Sequence, residues 1–220
     1  MTDERVVRAW QANAEPWTSA VREKRIASRN LVTNQAIIDA VLSRSPADVL
    51  DIGCGEGWLL RALAEHGVTG IGVDAIPALI DEAIRAGGGD FRVASYEDIA
   101  AGKVQVKVDV AVANFALIGK EAVDALIRYS PALLRTTGSL IIQTLHPVMA
   151  SADSPYADGW REGSWAGCGG SFAEAAPWYF RTTGTWVRLI RESGFSIDEV
   201  REPVNPETGK PASLILMASR

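Results

Sequence analysis

Val49-Leu50-Asp51-Ile52-Gly53-Cys54-Gly55-Glu56-Gly57 is the stretch whose reading decides the fold. A short apolar strand, Asp48 to Ile52, runs without a break into three alternating glycines. The segment after them places Leu59, Leu60, Leu63 and Ala64 on one helical face and stops at Gly67. A glycine lacks the Cβ that would keep a ligand away from the backbone, so this turn allows close approach. The helix behind it points its N-terminus into the same place. A second strand, Gly70 to Val73, ends at Asp74, about twenty residues past the start of the loop. A carboxylate at that point can accept both hydroxyls of a ribose.

Working outward, strand and helix patterns alternate. Pro77 opens a helix expected to bury Leu79, Ile80, Ala83 and Ile84 and to dissolve at Gly87-Gly88-Gly89. Phe91 to Ala94 reads as a third strand. Val108 to Ala113, apolar but for Asp109, reads as a buried parallel strand. Ala122 to Leu134 reads as a helix bent near Pro131, and Ser139 to Leu145 as a fifth strand that ends at His146. Thr182 to Ser193 is a helix closed by Gly194. Phe195 to Arg201 and Ser213 to Ser219 are strands whose short connection suits an antiparallel pair. At the other end, Thr2 to Trp10 and Glu23 to Ser43 read as helices. The expectation is one α/β domain over residues 1–220, doubly wound. Its mainly parallel seven-stranded sheet has helices on both faces and a C-terminal antiparallel hairpin. Residues 1–45 form a helical cap. Residues 147–180, irregular and rich in aromatics, form an insert of the kind that serves as a lid.

Composition narrows the classes. The chain has 220 residues, 47% hydrophobic and 22% charged, which is an ordinary globular balance. A net charge of −5 speaks against a binder of nucleic-acid backbone. Two cysteines, Cys54 and Cys168, give no disulfide framework and no metal-ligand spacing. We therefore expect no metal and a reducing, cytoplasmic setting. No apolar run has the length of a membrane span, and Met1 to Trp10 lacks the apolar core of a signal peptide. A homodimer is left open.

Ligands of such sheets bind at the carboxyl ends of the strands, where strand order reverses. That rule singles out Asp51 to Gly57, Asp74, Ser95 to Asp98, Asn114 and His146. The loop and acid fit any adenosine cofactor. A nicotinamide fingerprint would place its third glycine at position 58, which is Trp58 here. Glu56 is also expected to face the place of a pyrophosphate, where a second negative charge is unfavourable. A phosphate-binding P-loop is excluded, because no Gly-Lys-Ser/Thr follows. Three readings compete: a phosphate-free adenosine cofactor, an NAD(P)-type oxidoreductase, and a cofactor-binding module without turnover.

At this point the sequence resembles the class I, Rossmann-like S-adenosylmethionine-dependent methyltransferases. The residues Val49 to Gly57 resemble their first motif and Gly72-Val73-Asp74 their second. Ala94-Ser95-Tyr96-Glu97-Asp98 resembles the segment along the adenine, and Val108-Asp109-Val110 through Asn114-Phe115 the fourth strand. The resemblance spans roughly Ala47 to Leu145 and the terminal hairpin. It implies that Gly53, Gly55 and Gly57 hold the methionine and ribose through backbone. It also implies that Asp51 orients the amino group and Asp74 holds the ribose. Ala75 and Ile76 would pack on the adenine, Tyr96, Glu97 and Asp98 flank its edge, and Asn114 and Phe115 lie near the methionine. The implied cofactor is S-adenosylmethionine, with S-adenosylhomocysteine as product. The tail, from Arg181-Thr182-Thr183 to Leu214-Ile215, resembles members with small acceptors. Enzymes that methylate nucleic-acid amino groups carry two prolines and an aromatic after the Asn or Asp; here Asn114 precedes Phe115-Ala116-Leu117. Nucleic acid is therefore not expected as partner.

The acceptor should lie under the cap or the insert. Candidate substrate residues are Trp17 and Arg29 from the cap, Trp160, Trp165 and Tyr179 from the insert, and Arg181 just past it. His146, on the ligand side of the sheet, is the candidate general base, since imidazole titrates near neutrality. The structural reading of each remains beside the functional one: the aromatics as a satellite core, the arginines as surface charges, Asp74 as a helix cap.

Overall fold

The computed structural model describes residues 1–151 and 154–220. Residues 152 and 153 of the predicted insert lie outside the described residues. Three helical segments come first: α1 (Asp3–Ala12), α2 (Ala14–Arg22) and α3 (Asn34–Leu42), the last led in by a π-turn at Arg29–Thr33. The expected helix from Glu23 to Ser43 is corrected at its start. The chain turns at Lys24, whose φ is +55°, and α2 precedes that turn. Pro16 sits in the first turn of α2, where its missing N–H has no helical partner to lose.

The alternating core follows: β1 (Asp48–Ile52), α4 (Trp58–Ala64), β2 (Thr69–Asp74), α5 (Pro77–Ala86), β3 (Asp90–Val93), α6 (Tyr96–Ala100), β4 (Val108–Asn114), α7 (Glu121–Tyr129) and β5 (Leu134–Thr144). The bend expected at Pro131 is a 3₁₀ turn, Ser130–Leu133. A short helix α8 (Pro147–Ser151) and a two-stranded ribbon, β6 (Gly159–Arg161) with β7 (Trp178–Phe180), belong to the insert. The chain ends in α9 (Thr183–Glu192), β8 (Ser196–Arg201) and β9 (Leu214–Ser219).

The sheet order is β3-β2-β1-β4-β5-β9-β8. The first five strands are parallel, and β9 is antiparallel to both β5 and β8. The fold is thus the doubly wound, seven-stranded α/β sheet with a terminal hairpin that the alternation of strands and helices predicts. From Val110 onward in β4, and in the strands beside it, side chains alternate between two cores. Leu50, Ala111, Ala113, Leu140 and Ile142 pack with Leu126 and Ile127 of α7 and Leu189 and Ile190 of α9. Val49, Val110, Val112 and Ile141 pack with Ile37 of α3, Leu59 and Leu63 of α4 and Ile80 of α5. Ile84, expected in that core, is instead 57% exposed near the end of α5. Strand order reverses between β1 and β4, and the cavity described below opens at their carboxyl ends, as the crevice rule requires. No helix among the described residues is long and apolar enough to cross a membrane.

Candidate active site

The floor of the site is the loop after β1. The Gly53 and Cys54 amides donate to the Val73 carbonyl at 2.8 and 3.0 Å, which folds the loop over the end of β2. Gly53 has φ +74°, and a Cβ there would lie 2.4 Å from the Ala116 Cβ and 3.0 Å from the Tyr96 hydroxyl. Gly55, at φ +56°, would point a Cβ only at Trp17 Nε1, 3.8 Å away, so its face borders open cavity. Gly57 does a different job. A Cβ there would strike Phe91 at 2.7 Å and Ala83 at 3.1 Å, so this glycine lets α4 start close against β3 and α5. It lies outside the set of residues that line the cavity.

Asp74 ends β2 facing the loop. One carboxylate oxygen accepts from the Gly55 amide and the other from the Ile76 amide, both at 2.9 Å. It is not the side-chain cap of α5, whose N-cap residue is Ile76. Burial pushes its pKa up, and the Ile76 and Gly55 amides restrain the rise. Asp51 lies beneath the cavity wall at 2% exposure. Burial raises its pKa to about 7, the Asp74 charge adds to the rise, and Arg29 opposes it. Arg29 is buried, and desolvation lowers its pKa to about 10 despite the field of Glu56. Its guanidinium stacks on Trp58 at 4.8 Å and Trp17 at 5.6 Å and donates through Nε to Asn34. Its Nη2 has no partner among the described residues.

Glu56 is the main correction to the loop. It does not offer a free charge to a ligand. Its buried carboxylate accepts from Arg22 Nε at 3.0 Å and from Arg61 Nη2 at 2.7 Å, tying α2 of the cap to the loop. The charge argument against a pyrophosphate therefore lapses, while Trp58 at the position of a third glycine stands. Asp98 is corrected too. It closes a capping box with Ser95 at the start of α6 and pairs with Lys103 at 2.6 Å, which lowers its pKa to about 2. Tyr96 and Glu97 line the cavity with Ala75 and Ile76, and the Tyr96 hydroxyl donates to the Ala116 carbonyl at 2.9 Å. Asn114 and Phe115 line the opposite wall. Phe115 takes φ +53°, and Asn114 Oδ1 is buried with no partner among the described residues.

The cover comes from the N-terminal cap and the insert. Trp10 and Trp17 of the cap meet at 5.0 Å, Trp165 of the insert meets Trp10 edge-on at 5.3 Å, and Phe172 stacks on Trp165 at 4.5 Å. Asp3 of α1 accepts from the Lys120 and Ala122 amides at 2.7 and 2.8 Å, so the cap supplies the N-terminal acceptor of α7. Trp165 and Tyr179 line the cavity. Trp160 packs edge-on against Tyr179 at 5.6 Å and is outside the set that lines it. Arg181 is corrected as a free cation. It donates to the carbonyls of Gly119 and Lys120 and to Asp124 at 2.8–3.0 Å, between the rings of Tyr179 and Trp186. His146 lines the cavity from the end of β5, with Nε2 2.7 Å from Glu202 Oε1. The sequence gives Glu202, which lies in the tail 56 positions away, no role of its own.

Together these walls enclose about 720 Å³, within the roughly 300–1,000 Å³ typical of small-molecule sites. A family profile described as a methyltransferase domain matches residues 24–200. Ubiquinone biosynthesis O-methyltransferases from Xanthomonas axonopodis pv. citri and Xanthomonas oryzae pv. oryzae are 32% identical over 119 residues, 52% of this chain and 49% of theirs. The chain spans about half the length of the curated relatives it matches. Among solved structures, the 1,6-didemethyltoxoflavin-N1-methyltransferase of Burkholderia thailandensis superposes with TM-score 0.69 at 20% identity, covering 99% of this chain and 88% of that one. The magnesium protoporphyrin IX methyltransferase of Synechocystis gives TM-score 0.69 at 19% identity, covering 99% and 100%. At these identities the two structures speak for the fold. The match over residues 24–200, together with the glycine loop and Asp74, places the chain in the methyltransferase-domain family.

Proposed function

We propose that this chain binds S-adenosylmethionine in the cavity and catalyses transfer of its methyl group to a small molecule. The observation that carries the reading is the contact between Asp74 and the Gly55 amide. It joins the ribose acid and the glycine loop at the floor of one cavity. The unpartnered buried atoms fit the rest of that molecule. Arg29 Nη2 would meet the amino-acid carboxylate, and Asn114 Oδ1, with Asp51 beneath, would meet the ammonium. Asp74 would hold the ribose, and Ala75, Ile76 and Tyr96 would surround the adenine. S-adenosylmethionine supplies a methyl group already electrophilic on its sulfonium, so alignment and exclusion of water are the main tasks left to the protein. The cap and the insert perform the second task by closing over the strand ends. His146 takes the acceptor's proton. Two free thiols, Cys54 and Cys168, accord with a reducing, cytoplasmic setting.

The test is methyl transfer from labelled S-adenosylmethionine to a panel of phenols, amines and carboxylates. We expect a labelled product with at least one class. His146→Ala should keep cofactor affinity and lose roughly 10²-fold or more in turnover, the size of a missing general base. Binding without transfer to any class would leave a cofactor-binding module. Tight binding of a nicotinamide dinucleotide in place of S-adenosylhomocysteine would make the chain an oxidoreductase.

A further inference from the structure

The edge of Trp17 lies over the glycine loop. Gly55 is open on the side where a Cβ would stand, and the nearest atom from elsewhere in the chain is Trp17 Nε1, 3.8 Å from that position. That is ordinary van der Waals separation, so the slot between the glycine and the indole N–H is about one heavy atom thick. An atom resting on Gly55 in this slot comes within hydrogen-bond reach of Nε1. The two tryptophans that pack on Trp17 offer no such donor. Trp165 Nε1 is spent on the Ala173 carbonyl at 3.0 Å, and Trp10 Nε1 is buried. Trp17 Nε1 is neither buried nor bonded among the described residues, and its ring lines the cavity.

Two further observations place this N–H and give its ligand a charge. Helix α2 carries Trp17 near its start and Arg22 at its end, and Arg22 Nε donates to Glu56 at 3.0 Å. One helix thus meets two consecutive loop residues, Gly55 through Trp17 and Glu56 through Arg22. The Arg29 guanidinium lies over the face of the same Trp17 ring at 5.6 Å and also lines the cavity. Two acids beside the slot are already satisfied: Glu56 by Arg22 and Arg61, Asp74 by the Gly55 and Ile76 amides. A free donor at the ring edge and a cation on the ring face suit an anion with two oxygens.

Resting on the proposed S-adenosylmethionine site, we propose that Trp17 is a cofactor-binding residue. Its indole N–H donates to one carboxylate oxygen of the methionine portion, and Arg29 meets the other. Trp17 thereby moves from the acceptor side, where the sequence suggests it, to the donor side. The cap then completes the donor site as well as covering it, and the site selects a donor that keeps its carboxylate.

Titration calorimetry of Trp17→Phe, which keeps a ring and removes the N–H, tests this. S-adenosylhomocysteine should bind roughly 10- to 100-fold more weakly, the size of a hydrogen bond to a charged group. Decarboxylated S-adenosylhomocysteine, which lacks only the carboxylate, should bind wild type and variant within about threefold of each other. In nitrogen-15 spectra, one of the seven indole signals, the one lost in Trp17→Phe, should move downfield with S-adenosylhomocysteine and stay in place with the decarboxylated ligand. Equal S-adenosylhomocysteine affinity in Trp17→Phe, or equal weakening of both ligands, would overturn the role of the N–H. So would a wild type that binds S-adenosylhomocysteine with no indole signal moving downfield, whatever the stability of the variant. A wild type that binds no S-adenosylhomocysteine would overturn the methyltransferase reading itself, and this role with it.

Discussion

Gly53, at the floor of the cavity, sits where one added carbon would lie 2.4 Å from Ala116, whereas Trp165, in the cover, is placed by ring contacts with Trp10, Trp17 and Phe172. The floor is fixed by backbone: left-handed glycines, amides on Val73 and Asp74, and parallel strands on either side. The cover is fixed by side chains from segments far apart in sequence. A backbone-built floor tolerates no substitution but recognises one constant ligand. A cover built of aromatic contacts can change its lining while the floor stays the same. On the proposed function, the difference teaches where each half of the reaction would be specified: the donor by geometry that glycine alone permits, the acceptor by replaceable side chains.

The sharpest way to break this contrast is Gly53→Ala. Left-handed strain of roughly 1–2 kcal/mol adds to overpacking of about 1–3 kcal/mol. We expect a loss of roughly 2–5 kcal/mol in denaturant unfolding and no measurable cofactor binding. A variant as stable as the wild type would show that the floor yields. Asp74→Ala should act next, weakening S-adenosylhomocysteine by roughly 1–3 kcal/mol in calorimetry as a charged acceptor is lost. Equal affinity would remove Asp74 from the ribose.

Asp51→Asn sharpens the comparison through pH. An unfolded aspartate titrates near 3.9, and burial raises Asp51 to about 7 in the folded chain. Between those values the folded state holds one more proton than the unfolded state, so stability from this group falls as pH rises. The wild type should therefore lose about 3 kcal/mol relative to Asp51→Asn from pH 4 to 7, and a further fraction of a kcal/mol up to about pH 8. The gap should then stay level at higher pH, followed by denaturant titration. A gap that ignores pH would mean that Asp51 is ionised throughout. The smallest effect belongs to the cover. Trp165→Ala should cost about 1 kcal/mol of aromatic contact, raise the acceptor KM, and speed proteolysis within 154–177, while cofactor affinity changes little.

How much of this was legible follows the same division. Val49 to Ile52 and Val108 to Ala113 are apolar runs punctuated by glycine or acid, and a buried parallel strand allows few other readings. The floor was therefore readable, down to Asp74. Ser95-x-x-Asp98 also carries a readable signal, a capping box, beside the adenine role that the resemblance implies. The failures came where a partner distant in sequence decides the role. Glu56 looks like a loop charge until Arg22 and Arg61 close on it, and Arg181 looks free until three oxygens from the start of α7 surround it. Helix α2 was not expected, and Pro16 stands in its first turn, where it breaks nothing. Ile84 follows Ile80 at helical spacing, yet α5 ends two residues later and leaves it in solvent.

The central claim is that the turn after β1 and the carboxylate ending β2 hold one nucleoside carrying a one-carbon group. Titration calorimetry of the wild-type chain with S-adenosylhomocysteine tests it most directly. The account predicts one site per chain with micromolar affinity, weakened in Asp74→Ala, and no comparable heat with a nicotinamide dinucleotide. Absence of heat with S-adenosylhomocysteine at tens of micromolar protein, or a preference for the dinucleotide, would contradict it.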